Sequence, residues 1–416
     1  MKSAPGIVFH PSVAPHVRET VLAFDYQDLL QMFFTSLYWG RSPLGSFWDR
    51  LPEVWQSRAR RRRVPFLDEV KVHSFPFWES LRLAIPGPPC VREPLSDLLW
   101  EQGDHAFSQH LARRLPEKCG FVYGYDHSSL EVFRAAKTRR FPCIYEVPSL
   151  EWDQMQTLTR QEMTAMGQEK DFYLQCCERH HIRRTQRCRQ EWDLADLIIV
   201  NSEVTRQSFA AAGYDTERVR VVPLGAPPAS EDSLQRWSPS PRLLRLIWVG
   251  PFTPRKGARI LREALSHPLW PAGASIDVFG SVPMPGVALN LPADRIRWHG
   301  TISQEKLWHV MSEADALLLP TLADGFGMAL TEAWSQGLPV ITTDRAGAAE
   351  LMTHQVHGIK FHAGSVEALL EALHCFSQHR PAWPQWRVAC LELARKNSWT
   401  VYHEKIVAMT DDYRLF

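Results

Sequence analysis

Two acids, two cations and a set of glycines are the residues of this chain best suited to chemistry. Asp324 and Glu332 bracket the turn Gly325-Phe326-Gly327 inside the stretch LLLPTLADGFGMALTEAWSQGLPVITTD. Upstream, Arg255 and Lys256 lie in WVGPFTPRKG, flanked by Gly250 and Gly257. A helix that begins in a glycine-rich loop presents unpaired backbone N–H groups, and these suit an anion. A guanidinium and an ammonium beside such amides suit a phosphate or a diphosphate. An acid at the mouth of a parallel sheet can accept hydrogen bonds from ribose hydroxyls, the role open to Glu332. Phosphate cradles and a ribose acid together imply a nucleotide. Asp324, outside the helix, is left for a ligand portion bearing further hydroxyls, and a sugar answers that description. The site is not a P-loop, because Gly-x-x-x-x-Gly-Lys-Ser/Thr is absent.

Elements of a particular kind must hold these residues. The runs 317–320 and 339–342 are short and apolar, as buried parallel strands are, and a short helix over 327–336 stops at Gly337. The same alternation runs through LRLIWVG, GARILREALSH, SIDVFGS, IRWHGTI, SQEKLWHVMSEA, DALLLPTL and GIKFH. In the first half, GIVFH reads as a strand, followed by the loop PSVAPHVRET and a helical run ending near Phe34. FVYGYDHS and PCIYEVP are strands on either side of the helix SLEVFRAAKTR; a long polar helical stretch over about 154–196 follows, then LIIVNS, EVTRQSFAAAG and VRVVPLG. This rhythm predicts an α/β fold of two doubly wound, Rossmann-like domains facing across a cleft. The expected division is 1–227 for the first domain, a Pro- and Ser-rich linker over 228–242, 243–390 for the second domain, and a helix over 391–416 crossing back to the first.

The totals exclude several classes of function. A chain of 416 residues with 45% apolar and 22% charged residues is an ordinary globular protein long enough for two cores. A net charge of +1 gives no electrostatic case for nucleic acid. Proline and tryptophan are abundant, and the first 110 residues read as irregular, aromatic-lined loops. The cysteines are scattered without a Cys-x-x-Cys pair, and the N-terminus lacks the apolar run of a signal peptide, so free thiols in the cytoplasm are expected. The patch CCERHHIRRTQRC does not match zinc spacing, and no metal site is expected. The basic run Arg58 to Arg63 reads first as a solvated loop; at most it gives weak peripheral contact with anionic lipid at the inner face of a membrane.

The ordered motifs resemble a known family. DGFGMALTEAWSQGLPVI is similar to the E-x7-E signature of retaining glycosyltransferase family 4, within the glycosyl transferases group 1 of B-type fold; WVGPFTPRKG resembles its phosphate loop, and VVPLGAP, WHGTIS and DRAGAAEL fall in its usual order. The resemblance covers about 197–362. It implies transfer of a sugar from a nucleotide-diphosphate sugar to an acceptor hydroxyl, with retention of configuration, without a required metal or other cofactor, and no Asp-x-Asp triplet occurs in the chain. Carried over, Lys256 and Arg255 contact the donor diphosphate, Glu332 the ribose, and Asp324 the donor sugar. Gly250 and the segment Gly325, Phe326, Gly327, Met328 and Ala329 line the phosphate and sugar, and Gly280 and Thr301 line the base. The resemblance puts the acceptor in the first domain, near Ser12, His16, Asp126 and His127, with Glu146 a catalytic candidate where relatives often carry histidine. Asp324 stands where glutamate is usual, and Pro251 where arginine often follows the strand glycine. A non-hydrolysing sugar-nucleotide epimerase and an inactive sugar-nucleotide-binding scaffold remain as alternative readings. The sugar, base, acceptor and oligomeric state are not specified by the sequence.

Overall fold

A computed structural model of the chain describes residues 4–38, 62–85, 89–168, 171–240, 243–282 and 291–411. The first sheet contains β1 (Gly6–Phe9), β2 (Leu30–Thr35), β3 (Val72–Ser74), β4 (Val122–Tyr125), β5 (Cys143–Val147), β6 (Leu197–Val200) and β7 (Val219–Val221), in the order β3-β2-β1-β4-β5-β6-β7. The second contains β8 (Leu244–Val249), β9 (Ala274–Phe279), β10 (Ile296–Gly300), β11 (Ala316–Leu319), β12 (Val340–Thr343) and β13 (Gly358–Phe361), in the order β10-β9-β8-β11-β12-β13. Every pairing is parallel. The strands β1, β6, β11 and β12 are buried along their whole length, as they must be when helices cover both faces of a sheet. This is the α/β, doubly wound architecture that the alternation predicts.

Among the described residues the helices of the first domain are α1 (Pro15–Tyr26), α2 (Phe77–Leu83), α3 (Pro89–Ala112), α4 (Leu130–Thr138), α5 (Trp152–Ala165), α6 (Phe172–Arg179), α7 (His181–Leu194) and α8 (Glu203–Ala211). After α9 (Asp232–Arg236) come α10 (Ala258–Ser266), α11 (Gln304–Glu313), α12 (Met328–Ser335), α13 (Val366–Gln378), α14 (Trp383–Lys396) and α15 (Trp399–Asp411). One apolar cluster runs through both domains, joining Val8, Tyr123 and Ile144 to Leu317, Leu330 and Val340 and to Tyr402 and Ile406 of α15. The α15 helix lies on the first domain, where the Tyr402 and Thr20 hydroxyls are 2.7 Å apart.

Several local expectations change. The helical run expected to reach Phe34 ends at Tyr26, and 30–35 is strand β2. Asp28, at φ 58°, turns the chain between them, and the apolar spacing of this segment fits either period. The long helix over 154–196 is three helices, α5 ending beside Gly167 at φ 68°. The aromatic-rich region below residue 110 contains α2 and α3 rather than loops alone. The Pro- and Ser-rich stretch carries α9 and packs on the second domain: Ser230 N–H donates to Ser335 O (2.8 Å), and the Trp237 indole donates to Asp315 (2.9 Å). Residue 390 falls inside α14, not at an element boundary. Arg58 to Arg61 of the basic run lie outside the described residues.

Candidate active site

Both sheets reverse strand order once, between β8 and β11 in the second and between β1 and β4 in the first. Chains leaving two adjacent strands in opposite directions open a crevice at the carboxyl ends, where such sheets take ligands. In the second domain that crevice is walled by the loop after β8, with Arg255 and Lys256, and the loop after β11, with Asp324. The Arg255 carbonyl accepts from Leu322 N–H (2.8 Å) and from the Thr321 hydroxyl (3.0 Å), which staples the loops together. Gly257 makes this approach possible: a Cβ there would lie 2.0 Å from the Pro320 carbonyl oxygen, and its φ of 87° is left-handed.

The staple brings the predicted residues into contact. Lys256 Nζ donates to the Asp324 carboxylate, and Arg255 Nη1 lies 3.9 Å from the same group and donates to Ala323 O (3.2 Å). Burial pulls the Lys256 ammonium below its ordinary pKa, and the adjacent Asp324 opposes that shift. The carboxylate also lies beside Gly327, the left-handed residue that starts α12. The N–H groups of Gly327, Met328 and Ala329 have no acceptor among the described residues, as the first turn of a helix leaves them. Glu332 rides on the same helix, partly buried. Desolvation pushes its carboxyl up to about 7, against a hydrogen bond from Gln304 at the start of α11. Gly250 and Gly280 end β8 and β9, donating to Phe279 O (2.9 Å) and Gly300 O (2.8 Å), while Thr301 is exposed just beyond β10. Phe326 is buried, and its carbonyl accepts from Ala348 N–H (2.6 Å). Thr253, not singled out by the sequence, is buried in the cation loop with a hydroxyl that has no hydrogen-bond partner among the described residues.

The loop after β11 also meets the first domain. Ser202 Oγ donates to Gly325 O (2.6 Å), and the Glu350 carboxylate accepts from the N–H groups of Glu203 (2.9 Å) and Val204 (2.6 Å), at the start of α8. A Cβ on Gly325 would lie 2.0 Å from the carbonyl oxygen of Pro148, which follows β5. The carboxyl ends of the two sheets therefore face each other.

In the first domain's crevice, His10 and Ser12 follow β1, and Asp126 and His127 follow β4. Ser12 N–H donates to His10 Nδ1 (2.9 Å), and Asp126 lies 3.8 Å from His127 Nε2. Burial lowers both histidines, and it pushes His16, packed against Tyr125, down to about 3. His127 adopts φ 70°, and its turn is held by Glu191 of α7. That carboxylate accepts from the N–H groups of His127 (2.9 Å), Ser129 (2.9 Å) and Leu130 (3.0 Å) and from the Tyr145 hydroxyl (2.8 Å). No sequence signal marks Glu191, because the groups that hydrogen-bond to it lie 46–64 residues away. Glu146 is 2% exposed on β5, takes a hydrogen bond from the Tyr123 hydroxyl (2.7 Å), and is pushed up to about 7 by burial. Among the described residues no group of three or more His, Cys, Asp or Glu could hold a metal ion, and no disulfide joins the cysteines whose side chains are described. No described helix is long and apolar enough to cross a membrane.

Known proteins resemble the second domain in sequence and the chain in fold. Residues 244–379, almost the whole second domain, match the family described as Glycosyl transferases group 1. The amylovoran biosynthesis glycosyltransferase AmsK of Erwinia amylovora is 27% identical over 195 residues, covering 44% of this chain and 48% of that protein. A GDP-mannose-dependent alpha-(1-6)-phosphatidylinositol monomannoside mannosyltransferase of Mycobacterium tuberculosis is 25% identical over 206 residues, 44% of this chain and 52% of that protein. The matches span about half the length of these relatives. Among solved structures, HepE of Anabaena in complex with UDP-glucose aligns with a TM-score of 0.60 at 15% identity, over 98% of this chain and 99% of that one. The sucrose-phosphate synthase of Thermosynechococcus elongatus aligns at 0.61 and 16%, over 99% of both. The fold of the whole chain is thus the B-type glycosyltransferase fold.

Proposed function

We propose that this chain, whose second domain matches group 1 glycosyltransferases, moves a sugar from a nucleotide-diphosphate sugar to an acceptor hydroxyl with retention of configuration. One observation carries the reading: Lys256, Asp324 and the free amides that begin α12 converge at the strand reversal of the second sheet. Lys256 and Arg255 hold the diphosphate together with the amides of Gly327, Met328 and Ala329, and Glu332 accepts from the ribose hydroxyls. Asp324 orients Lys256 and faces the donor sugar; Gly280 and Thr301 border the base. HepE's complex with UDP-glucose, in the same fold, supports a nucleotide-sugar donor.

In the transfer, the bond from the anomeric carbon to the phosphate oxygen breaks and a bond to the acceptor oxygen forms on the same face. The acceptor's proton goes to the leaving phosphate, and the products are a glycoside and a nucleoside diphosphate. Cations and amides fixed in advance around the departing oxygens stabilise the charge as it develops, and no metal is invoked. Glu146, enclosed by tyrosines, serves the first domain's interior in this reading rather than the reacting atoms. Contact with an anionic membrane surface is supported by Phe66 and Val70, 89% and 83% exposed, close in sequence to the exposed Arg63. The test is a melting-temperature screen against UDP-, GDP-, ADP- and CMP-sugars, because a bound donor stabilises the fold by mass action. One class should raise the melting temperature; no shift with any of them would sink the reading.

A further inference from the structure

The crevice of the first sheet holds more chemistry than the donor site uses. A cleft of ≈ 400 Å³ opens there, bordered by His10, Trp78, Trp100, Asp104, Asp126 and His127. Two indoles from α2 and α3 stand in one small wall, both partly exposed. Arg184 Cζ lies 4.8 Å over the Trp100 ring but borders a smaller adjoining cavity of ≈ 200 Å³, not the cleft, so the guanidinium fixes the indole from outside the cleft. Asp104, one turn after Trp100 on α3, is 6% exposed and borders both cavities. It makes no hydrogen bond or ion pair among the described residues, whereas Glu79 on the same wall is saturated by Arg62 (2.5 Å) and Arg82 (2.7 Å).

A carboxyl taken out of water without a partner is costly, and burial raises the Asp104 pKa well above its ordinary value. A ligand that donates hydrogen bonds would relieve that cost. The surroundings restrict its chemistry. Asp126 disfavours an anion, since Arg82 is already engaged with Glu79. The described residues form no metal-binding group. Two indoles offer negative faces to the C–H edge of a ring, and two carboxyls accept from hydroxyls. We propose that this cleft takes a neutral sugar ring as the acceptor, its C–H face on Trp78 or Trp100 and its hydroxyls donating to Asp104 and Asp126. The proposal rests on the transferase reading, which requires a second, hydroxyl-bearing substrate near the donor. The cleft lies at the carboxyl end of β4, and the next strand, β5, leads to Pro148, which touches the donor loop at Gly325.

Two measurements on the full chain test it. Saturation-transfer NMR with methyl glucosides, galactosides and mannosides should give a signal for at least one. That signal should fall at least tenfold in Trp78→Ala, in Asp104→Asn and in Asp126→Asn, while the donor's melting shift stays that of the wild type. Nucleoside diphosphate release should rise with the same glycoside, and neither its 6-phosphate nor octanol should substitute. A donor shift with no glycoside signal, or equal use of octanol or the phosphorylated sugar, would overturn the cleft assignment alone. Glycoside binding with no donor shift would overturn the transferase reading, and the acceptor role with it. Asp126→Asn lies on a loop, so it reports on the cleft even if the helix variants fail to fold.

Discussion

Lys256 and Asp324 neutralise each other where a bound diphosphate would need a cation. Removing the ammonium should lower turnover by roughly 10²–10³-fold, the usual loss when one stabiliser of a leaving oxyanion is deleted. Lys256→Ala also leaves the Asp324 carboxylate buried beside Arg255 alone, a loss of about 3–5 kcal/mol for a broken buried pair. The double variant Lys256→Ala/Asp324→Asn should recover much of that stability in urea unfolding and none of the turnover. If turnover returned as well, Lys256 would not touch the donor. Glu332 carries a pH prediction. Its carboxyl, held up near 7, is largely protonated at pH 6 and loses the charge that best accepts from ribose hydroxyls. The donor KM should therefore rise as pH falls through 7, and Glu332→Gln should flatten that profile. These residues were legible because one glycine-rich segment carries Asp324 and Glu332 together and a second carries the cations. Asp104, Glu191 and Thr253 were not, because their meaning comes from partners or cavities assembled by other parts of the chain.

Among elements, the parallel strands were legible because continuous apolar runs such as ALLL and LIIV permit little else between turns. Strand β2 was not: LQMFFT follows a helix without a proline or glycine, and only Asp28 in a left-handed conformation marks the break. Helices α2 and α3 were missed for a related reason, since proline and tryptophan there suggested loops while a proline sits inside α3 itself. The loop after β11 joins element to function. Gly325→Ala would drive a methyl into the Pro148 carbonyl, where the ideal position leaves 2.0 Å, so the domains must separate locally. The variant should melt lower than the wild type and bind the donor more weakly. Wild-type behaviour in both measurements would mean that this contact is not kept in solution.

Across the whole molecule, buried acids set how stability responds to pH. Glu146 and Glu191 are both pushed up to about 7 by burial, from an ordinary value of 4.5. Between those values the folded chain holds protons that the unfolded chain has released. Their contribution therefore favours folding below 4.5 and declines as pH rises through 7. Glu146→Gln should flatten part of this slope in urea midpoints taken from pH 5 to 8, and turnover should persist; loss of turnover with unchanged stability would restore Glu146 to the reacting groups. Exposed Arg63 beside Phe66 and Val70 predicts that the chain sediments more with anionic vesicles than with neutral ones, less so at high salt. The two-domain plan itself was legible from the repeated strand–helix rhythm, but the packing of α9 on the second domain was not, because proline and serine mark turns and linkers alike.

The most direct test is a solved complex of the chain with the nucleoside diphosphate of whichever donor stabilises it. One nucleotide is expected, its diphosphate ~3 Å from Lys256 Nζ and from the amides that open α12, with its ribose hydroxyls on the Glu332 carboxylate. A nucleotide that touches only one of those two side chains, or that binds outside the crevice between β8 and β11, would contradict it.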